Sequence, residues 1–358
     1  MATFPFLNLS PADSERILGS LMFGELFDLS QCSKRTYNHM KTFFSKAPDT
    51  NRLIANISTS SSYELISSRN EREVSWVFLE DRDPRIMDLE DPKTYKISGF
   101  PPMDFCINRT PTSVQYITAS RLSVQDILNF GQYLLTLFNG RVRNLEMKSS
   151  QMKFLDGLVS MEAFRKCDLL RVEHGAVNHK ALQKILSSFE PKEILYLSCT
   201  TKNNFSCCLP IKCDVFVAVM GSWMNLKVLL NLDCRVGYIS DSPVSNEDLN
   251  KYLKTWLDGS NTKLDHITIS GSMLDTSKKY DLSKIVEGIP STPGVAKRPD
   301  ATEFQNWGQD IDYATGVDLR RDSDGMLATA LIFEEVHENW TFLFVVWHVP
   351  NPNLVVVP

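Results

Sequence analysis

The sequence predicts a mixed α+β or α/β protein, in which a three-helix module precedes a larger domain of alternating helices and strands that ends in a β-hairpin. Three short amphipathic segments lie within the first 46 residues, and later segments alternate between helical and strand-like apolar spacing. The pair Asp324-Gly325 near the end is typical of a hairpin turn. The predicted divisions are residues 1–46 for the helical module, 47–113 for a linker and short-strand region, and 114–358 for the larger domain.

The composition is that of an ordinary globular protein. The 358 residues are 43% hydrophobic and 23% charged, with a formal net charge of -5. Mixed charge of this kind predicts neither a nucleic-acid partner nor a membrane partner. The first residues are too weakly apolar for a signal peptide, and the apolar run Phe342–Val349 is far shorter than the roughly 18 residues of a membrane span. We therefore expect a cytoplasmic or nuclear protein.

The eight cysteines predict neither a disulfide framework nor a metal site. Structural zinc sites usually take their ligands from pairs with a short, regular gap. The cluster in this chain lacks that spacing; it consists of Cys199, Cys207, Cys208 and Cys213. Free thiols in a reducing compartment are therefore the favoured interpretation over a zinc site, and no cofactor is predicted.

The N-terminal module begins with a well-marked helix. Ser10 can cap it and Pro11 suits its first position, because the proline lacks an N–H that would have no partner there. Gly24 predicts a turn before a second helix that opens at Glu25. The apolar positions of the three helices are Ile17, Leu18 and Leu21, then Leu26, Leu29 and Cys32, then Tyr37, Met40 and Phe44. Helices this short bury little core, so we expect the module to need a partner surface.

This pattern resembles the F-box family. The apolar opening, the Ile-Leu pair and the third helix of that motif correspond to Leu9-Ser10-Pro11, Ile17-Leu18 and Leu29–Arg35, with Ser10 standing where the family usually has proline. The resemblance implies docking on a Skp-type adaptor and, through it, on a cullin–RING ubiquitin ligase. A generic three-helix cap on the larger domain is the alternative. The residues implied in adaptor binding are Leu9, Pro11, Ile17, Leu18, Leu21, Leu26 and Leu29.

The middle region carries weaker signals. The polar stretch Ser45–Ser62 is typical of a linker, Val74–Leu79 predicts a short strand, and the three prolines within Pro101–Pro111 break the pattern.

From about Val114 onward, capped helices alternate with strands in at least three units. The predicted helix caps are Ser123, Asn178, and Ser245 with Asp248. The strands that follow contain Val142, Leu145 and Met147, then Ile194–Leu197, then Leu264, Ile267 and Ile269, and a weaker strand contains Trp223, Leu226, Val228 and Leu230. Stacking such units would bury one face of each element, so the sequence predicts an irregular leucine-rich-repeat-like domain. An ordinary α/β sandwich is the alternative.

A second resemblance lies in this domain. The segment Leu229–Ile269 is similar to the core of the type 2 F-box-associated domain, and Gly316–Arg321 with Asp324-Gly325 resembles its closing hairpin. That domain follows the F-box in a large protein family expanded in nematodes. The resemblance implies a substrate-recognition adaptor of a Skp–cullin–F-box E3 ubiquitin ligase. The alternative is a protein-binding module that acts outside any ligase.

No enzyme motif supports a catalytic role. The sequence has no Walker A motif, no Gly-x-Ser-x-Gly elbow and no His-Glu-x-x-His zinc motif, and His174 and His179 are five residues apart rather than four. The acidic residues Asp310, Asp312 and Asp318 do not match a calcium loop. We therefore expect a non-enzyme, with a site assembled from distant residues as the alternative.

The strand pattern also predicts where a substrate binds. In Leu-x-x-Leu-x-Leu strands the leucines face the core, so the intervening residues face outward. These outward positions define a candidate substrate face, and the alternative is a face that is merely solvated or covered by the C-terminal hairpin. The predicted substrate-binding residues are Glu146, Lys148, Tyr196, His266 and Thr268.

Overall fold

A computed structural model describes most of the chain. The described residues are 8–46, 54–58, 62–69, 72–79, 92–97, 99–110, 113–118, 123–173, 175–201, 205, 210–271, 280–295, 311–335 and 339–348. The chain divides into two compact units, residues 1–171 and residues 172–358. Each unit combines helices with a mixed sheet, so the predicted mixed α+β fold is confirmed. Within the described residues, no helix is both long enough and apolar enough to cross a membrane.

The first unit begins with three helices and continues with strands. Its helices are α1 (Pro11–Ser20), α2 (Phe23–Ser30), α3 (Lys34–Lys46), α4 (Val124–Leu137), α5 (Leu155–Ser160) and α6 (Glu162–Arg165). Its strands are β1 (Ile54–Ser58), β2 (Ser62–Arg69), β3 (Arg72–Leu79), β4 (Lys93–Tyr95), β5 (Met103–Arg109), β6 (Ser113–Thr118) and β7 (Arg141–Lys148). Strand β8 (Leu169–Glu173) crosses the division between the units.

The sheet of the first unit has the order β7-β1-β2-β3-β6-β5-β4. The pairs β1–β7 and β3–β6 are parallel, and the other neighbours are antiparallel. Two predictions are wrong here. Strand β1 lies inside the stretch predicted as a linker, and β5 lies inside the proline-rich segment predicted to break the pattern. Polar composition hid β1, and the prolines flank β5 without entering it.

The second unit contains parallel and antiparallel strands. Its helices are α7 (His179–Ser188), α8 (Leu226–Leu229), α9 (Asn246–Leu257) and α10 (Leu282–Ile285). Its strands are β9 (Ile194–Leu197), β10 (Ile211–Lys212), β11 (Val215–Ala218), β12 (Leu232–Asp233), β13 (Val236–Ile239), β14 (His266–Ser270), β15 (Thr292–Pro293), β16 (Val317–Arg320), β17 (Leu327–Glu335) and β18 (Asn339–Trp347).

The main sheet of this unit has the order β9-β11-β13-β14-β18-β17-β16-β15. Strands β9, β11, β13 and β14 are parallel, and the remaining neighbours pair antiparallel. Strands β10 and β12 form a separate parallel pair. The repeating part of this unit is its set of parallel strands, because a helical or irregular connection leads from each of these strands to the next.

Most of the predicted repeat elements are confirmed. Ser123, Asn178 and Ser245 cap α4, α7 and α9 through hydrogen bonds from the backbone N–H three residues on. The predicted strand Ile194–Leu197 is β9, and the Asp-Gly pair lies between β16 and β17, where Gly325 has φ +72°. The weaker strand predicted from Trp223 to Leu230 is wrong, because Leu226–Leu229 forms α8 with Asn225 as its cap.

Candidate protein-binding surfaces

The N-terminal helices are held to the sheet of their own unit by an aromatic cluster. The ring of Phe27 on α2 is fully buried and stacks against Tyr95 with 5.4 Å between centroids. It also makes edge-to-face contacts with Trp76, Tyr116 and Phe130 at 5.5–5.9 Å. Such pairs stabilise a fold beyond the area they bury, typically by about 0.5–1.5 kcal/mol each. The helices therefore belong to the hydrophobic core of the first unit.

Polar contacts reinforce this attachment at Asp28. The Tyr95 hydroxyl donates to the Asp28 carboxylate at 2.6 Å, and the Arg109 guanidinium donates to its other oxygen at 3.1 Å. Burial, followed by the hydrogen bond to Asp28, raises the pKa of Tyr95, so this hydroxyl stays a donor at neutral pH. The Tyr116 hydroxyl donates to the Gly24 carbonyl at 2.9 Å.

Gly24 is therefore not a turn residue, which corrects the prediction. It lies inside α2, and a Cβ there would meet the Tyr116 hydroxyl at 3.2 Å. Its missing side chain lets α2 approach β6.

The predicted adaptor-binding residues fall into two classes. Leu18 and Leu26 are 0% exposed, so in this conformation they stabilise the first unit and present no contact surface. Adaptor contact through these two side chains stays a prediction and would require them to become exposed. The other five are half-buried or exposed and stay a prediction, and they are Leu9, Pro11, Ile17, Leu21 and Leu29.

In the second unit, the parallel strands present two aligned rows of side chains on one face of the sheet. Strand register places Ile194, Val215 and Val236 in one row, and the next outward residues in the other. The second row consists of Tyr196, Val217 and Tyr238. All six side chains are half-buried. We call these six residues of β9, β11 and β13 the open face.

On the opposite face of the sheet, helix α9 packs against β18 next to β14. Ile267 on β14 pairs with Phe344 on β18, and the Phe344 ring contacts Trp256 at 5.0 Å and Tyr252 at 6.4 Å, both on α9. Helix α9 therefore lies on the side of Ile267 and Phe344, and the open face lies on the other side.

Farther across the sheet, the same side as the open face is covered by the chain itself. Thr268 pairs with Leu343, and His266 pairs with Val345. These β18 residues belong to a buried cluster with Tyr313, whose ring contacts Trp347 at 5.4 Å. The segment around Tyr313 thus seats apolar side chains on this side of β17 and β18.

The structure distinguishes among the predicted substrate-binding residues. Tyr196 lies in the open face, whereas His266 and Thr268 are only 9% and 7% exposed. Both side chains are largely buried beside strand β18, and their part in substrate binding stays a prediction. Glu146 and Lys148 are half-buried on β7 of the first unit, and their part in recognition stays a prediction.

His266 forms part of the support for the open face. Its Nε2 lies 3.0 Å from the Tyr238 hydroxyl, and the two rings meet at 5.3 Å. Burial lowers the pKa of His266 to about 4, partly offset by Asp265. The imidazole is therefore neutral at pH 7 and orients Tyr238 without adding charge.

Sequence reasoning missed Val217 and Tyr238, because β11 and β13 were not identified as strands. A usable signal precedes each parallel strand. Two residues before β11, β13 and β14 stands a fully or nearly buried apolar residue, namely Cys213, Cys234 and Leu264. Aligning the strands on this position would have exposed the period-2 pattern that follows it.

These cysteines also explain part of the thiol cluster. Burial raises the pKa of Cys199 to about 11 and that of Cys213 to about 12, so both thiols stay protonated. Cys207 and Cys208 lie outside the described residues. Within the described part of the chain, no group of three or more His, Cys, Asp or Glu side chains could hold a metal ion.

Arg321 connects the hairpin turn to α9. Its guanidinium is 1% exposed, donates to both Asp324 carboxylate oxygens, and lies 4.5 Å from the Trp256 ring centroid. It also donates to the carbonyls of Trp256 and Ser260 at 3.4 Å, at the C-terminal end of the helix. Positive charge is favourable at that end of a helix. This residue therefore fixes the hairpin against the helix layer that supports the open face.

The fold is that of a mixed α+β chain that begins with three short helices. A family model described as F-box associated matches residues 201–269, which contain β11, β13, α9 and most of β14. The match implies a role in protein–protein interaction.

Two curated proteins of Caenorhabditis elegans are similar over nearly the whole chain. Uncharacterized protein F59B2.8 is 23% identical over 349 residues, covering 96% of this chain and 78% of its own. Uncharacterized protein F59B2.9 is 20% identical over 352 residues, covering 96% and 79%. No solved structure matches the chain.

Proposed function

We propose that the chain is a substrate-recognition adaptor of a Skp–cullin–F-box E3 ubiquitin ligase in the cytoplasm or nucleus. Residues 1–46 bind the Skp-type adaptor, and the domain 114–358 binds a protein substrate. The observation that carries the proposal is the F-box-associated match at residues 201–269, in a chain whose N-terminus forms three short helices. Its role is to bind and present a substrate, with no reaction of its own.

Two half-buried residues carry the adaptor contact in this proposal, namely Ile17 on α1 and Leu21 directly after it. Ile17 and Leu21 leave part of their apolar surface exposed, whereas Leu18 between them is fully buried. Truncating a partly exposed interface residue removes contact with a partner, while truncating a buried one mainly opens a cavity. The two effects can be separated experimentally.

The test measures binding of a purified Skp-type adaptor to the full chain by calorimetry. The Ile17→Ala, Leu21→Ala double variant should bind at least tenfold more weakly with little change in melting temperature. Leu18→Ala should instead lower the melting temperature. Lys41→Ala, on the exposed side of α3, is the matched control and should change neither.

A protein-binding module that acts outside any ligase is the second candidate. Two observations favour it. Leu18 and Leu26 are fully buried in the first unit, and Ser10 stands where the F-box motif usually has proline. Wild-type chain that fails to bind the adaptor would overturn the ligase role and leave this alternative.

A further inference from the structure

The open face is apolar in a setting where parallel strands are normally covered. Sheets of parallel strands usually have both faces buried. Here helix α9 covers one side, while the six residues of the open face are only half-buried. Four are branched aliphatic and two are tyrosines. Contiguous apolar surface is a common feature of interaction sites on folded proteins.

The six residues of the open face carry no charge. On β14 the two rows continue to His266 and Thr268, which are also uncharged at neutral pH, because burial lowers the pKa of His266 to about 4. On the other side, β8 pairs with β9 and brings the half-buried, charged residue Glu173 close to the end of β9. Arg235 directly precedes β13, and its guanidinium is paired with Asp265 at 2.5 Å. A phosphate or a carboxylate at this face would meet no uncompensated cation among the six residues.

The neighbouring part of the sheet indicates which side chains pack on such a surface. On the same side of the sheet, the segment containing Ile311 and Tyr313 lies against Leu331, Leu343 and Val345. An aliphatic residue and an aromatic residue thus complete the cover over the antiparallel strands. The open face extends this covered surface across β13, β11 and β9 with the same kind of side chain.

We propose that the open face binds a short, uncharged segment of a partner protein through aliphatic and aromatic side chains, without phosphorylation of that segment. The proposal rests on the proposed function in taking the partner to be the substrate, and it names the class of recognition signal. Recognition of phosphorylated or acidic motifs depends on clusters of arginine, which the six residues of this face do not provide.

The size of the face limits the segment. Neighbouring strands lie about 4.8 Å apart and alternate residues about 6.6 Å apart along a strand, so three strands and two rows span on the order of 10 Å by 7 Å between Cα positions. Two or three large side chains fill such an area. Tyr196 and Tyr238, two strands apart in one row, flank Val217 at the centre.

The test uses the full chain and a panel of 12-residue synthetic peptides of known sequence. Each peptide is presented unmodified, with serine phosphorylated, and with its two central apolar residues replaced by aspartate. The unmodified apolar forms should bind, the aspartate forms should bind at least tenfold more weakly, and phosphorylation should not increase binding.

The variant Val217→Lys places a cation at the centre of the face. It should weaken binding of the apolar forms at least tenfold and strengthen binding of the aspartate forms. Val295→Lys is the matched control, because Val295 is an exposed valine on another part of the same unit, and its binding profile should equal wild type. Should Val217→Lys fail to fold by circular dichroism, Val217→Thr keeps the shape of valine and should weaken the apolar forms in the same direction.

Preferred binding of phosphorylated or acidic peptides would overturn the proposal, as would apolar binding that both Val217 variants leave unchanged. A wild-type dimer in sedimentation that Val217→Lys dissociates would also overturn it, because a second copy would then occupy the face. Failure of the ligase role is a separate outcome. In that case the adaptor does not bind, while the peptide preferences and their sensitivity to Val217→Lys persist.

Discussion

Replacing Phe27 with alanine tests whether the N-terminal helices and the sheet of the first unit fold together. The ring is fully buried and contacts Trp76, Tyr95, Tyr116 and Phe130. Removing a buried phenylalanine typically destabilises a protein by about 3–5 kcal/mol. At about 1.4 kcal/mol for each factor of ten, the opening equilibrium of the first unit should rise roughly 10²- to 10⁴-fold.

Amide hydrogen exchange of the full chain, read by mass spectrometry, is the suitable assay because it resolves separate segments. Exchange should accelerate together in α2, β3 and β6, while the strands of the second unit serve as an internal reference. Phe43→Ala is the matched control, since Phe43 is half-buried on α3 and should produce a much smaller change.

Acceleration confined to α1–α3 would refute the reasoning. It would mean that the helical module opens independently of the sheet, and that the aromatic cluster does not couple the two.

Three further predictions concern the second unit and the thiols. As the pH falls from about 6.5 to about 4, the unfolded chain gains a proton at His266 that the folded chain does not bind, so the free energy of unfolding should fall. The His266→Asn variant should flatten this part of the plot of urea midpoint against pH. A plot that the variant leaves unchanged would contradict the prediction. Iodoacetamide at pH 8 should modify exposed Cys32 in the native protein, whereas Cys199 and Cys213 should react only after unfolding; labelling of either buried thiol in the native protein would show that it is accessible. Arg321→Lys should lower the melting temperature by roughly 5 °C or more, because lysine cannot reproduce the paired hydrogen bonds of the guanidinium to Asp324. An unchanged melting temperature would show that Arg321 does not stabilise the hairpin in this way.

The sequence located elements well where local signals agree. At Ser123, Asn178 and Ser245, a capping side chain precedes a helical apolar pattern, and each helix forms where predicted. Those signals act within one turn of chain, so no distant contact was needed to interpret them. At Leu226–Leu229 the signals conflict, because a short apolar run is compatible with the spacing of a helix and with that of a strand. The segment forms a helix, with Asn225 as its cap.

The candidate surfaces were less predictable for a different reason. Strand β14 is buried along its whole length, although its sequence alternates apolar and polar residues. Alternation predicts two faces but cannot say which distant strand will lie beside the polar one. Leu343 and Val345 lie more than 70 residues away in the chain, and they pair with Thr268 and His266, which are largely buried.

By itself, then, the sequence determined the mixed α+β class, the helix caps and the outward positions of β9, because these follow from residue type and short-range spacing. Only the tertiary structure decided that Leu18 and Leu26 are fully buried, because burial depends on how the helices pack within the first unit. It also decided that Tyr196, Val217 and Tyr238 align in one row. Strand register is set by pairing between segments far apart in the chain, and no local pattern encodes it.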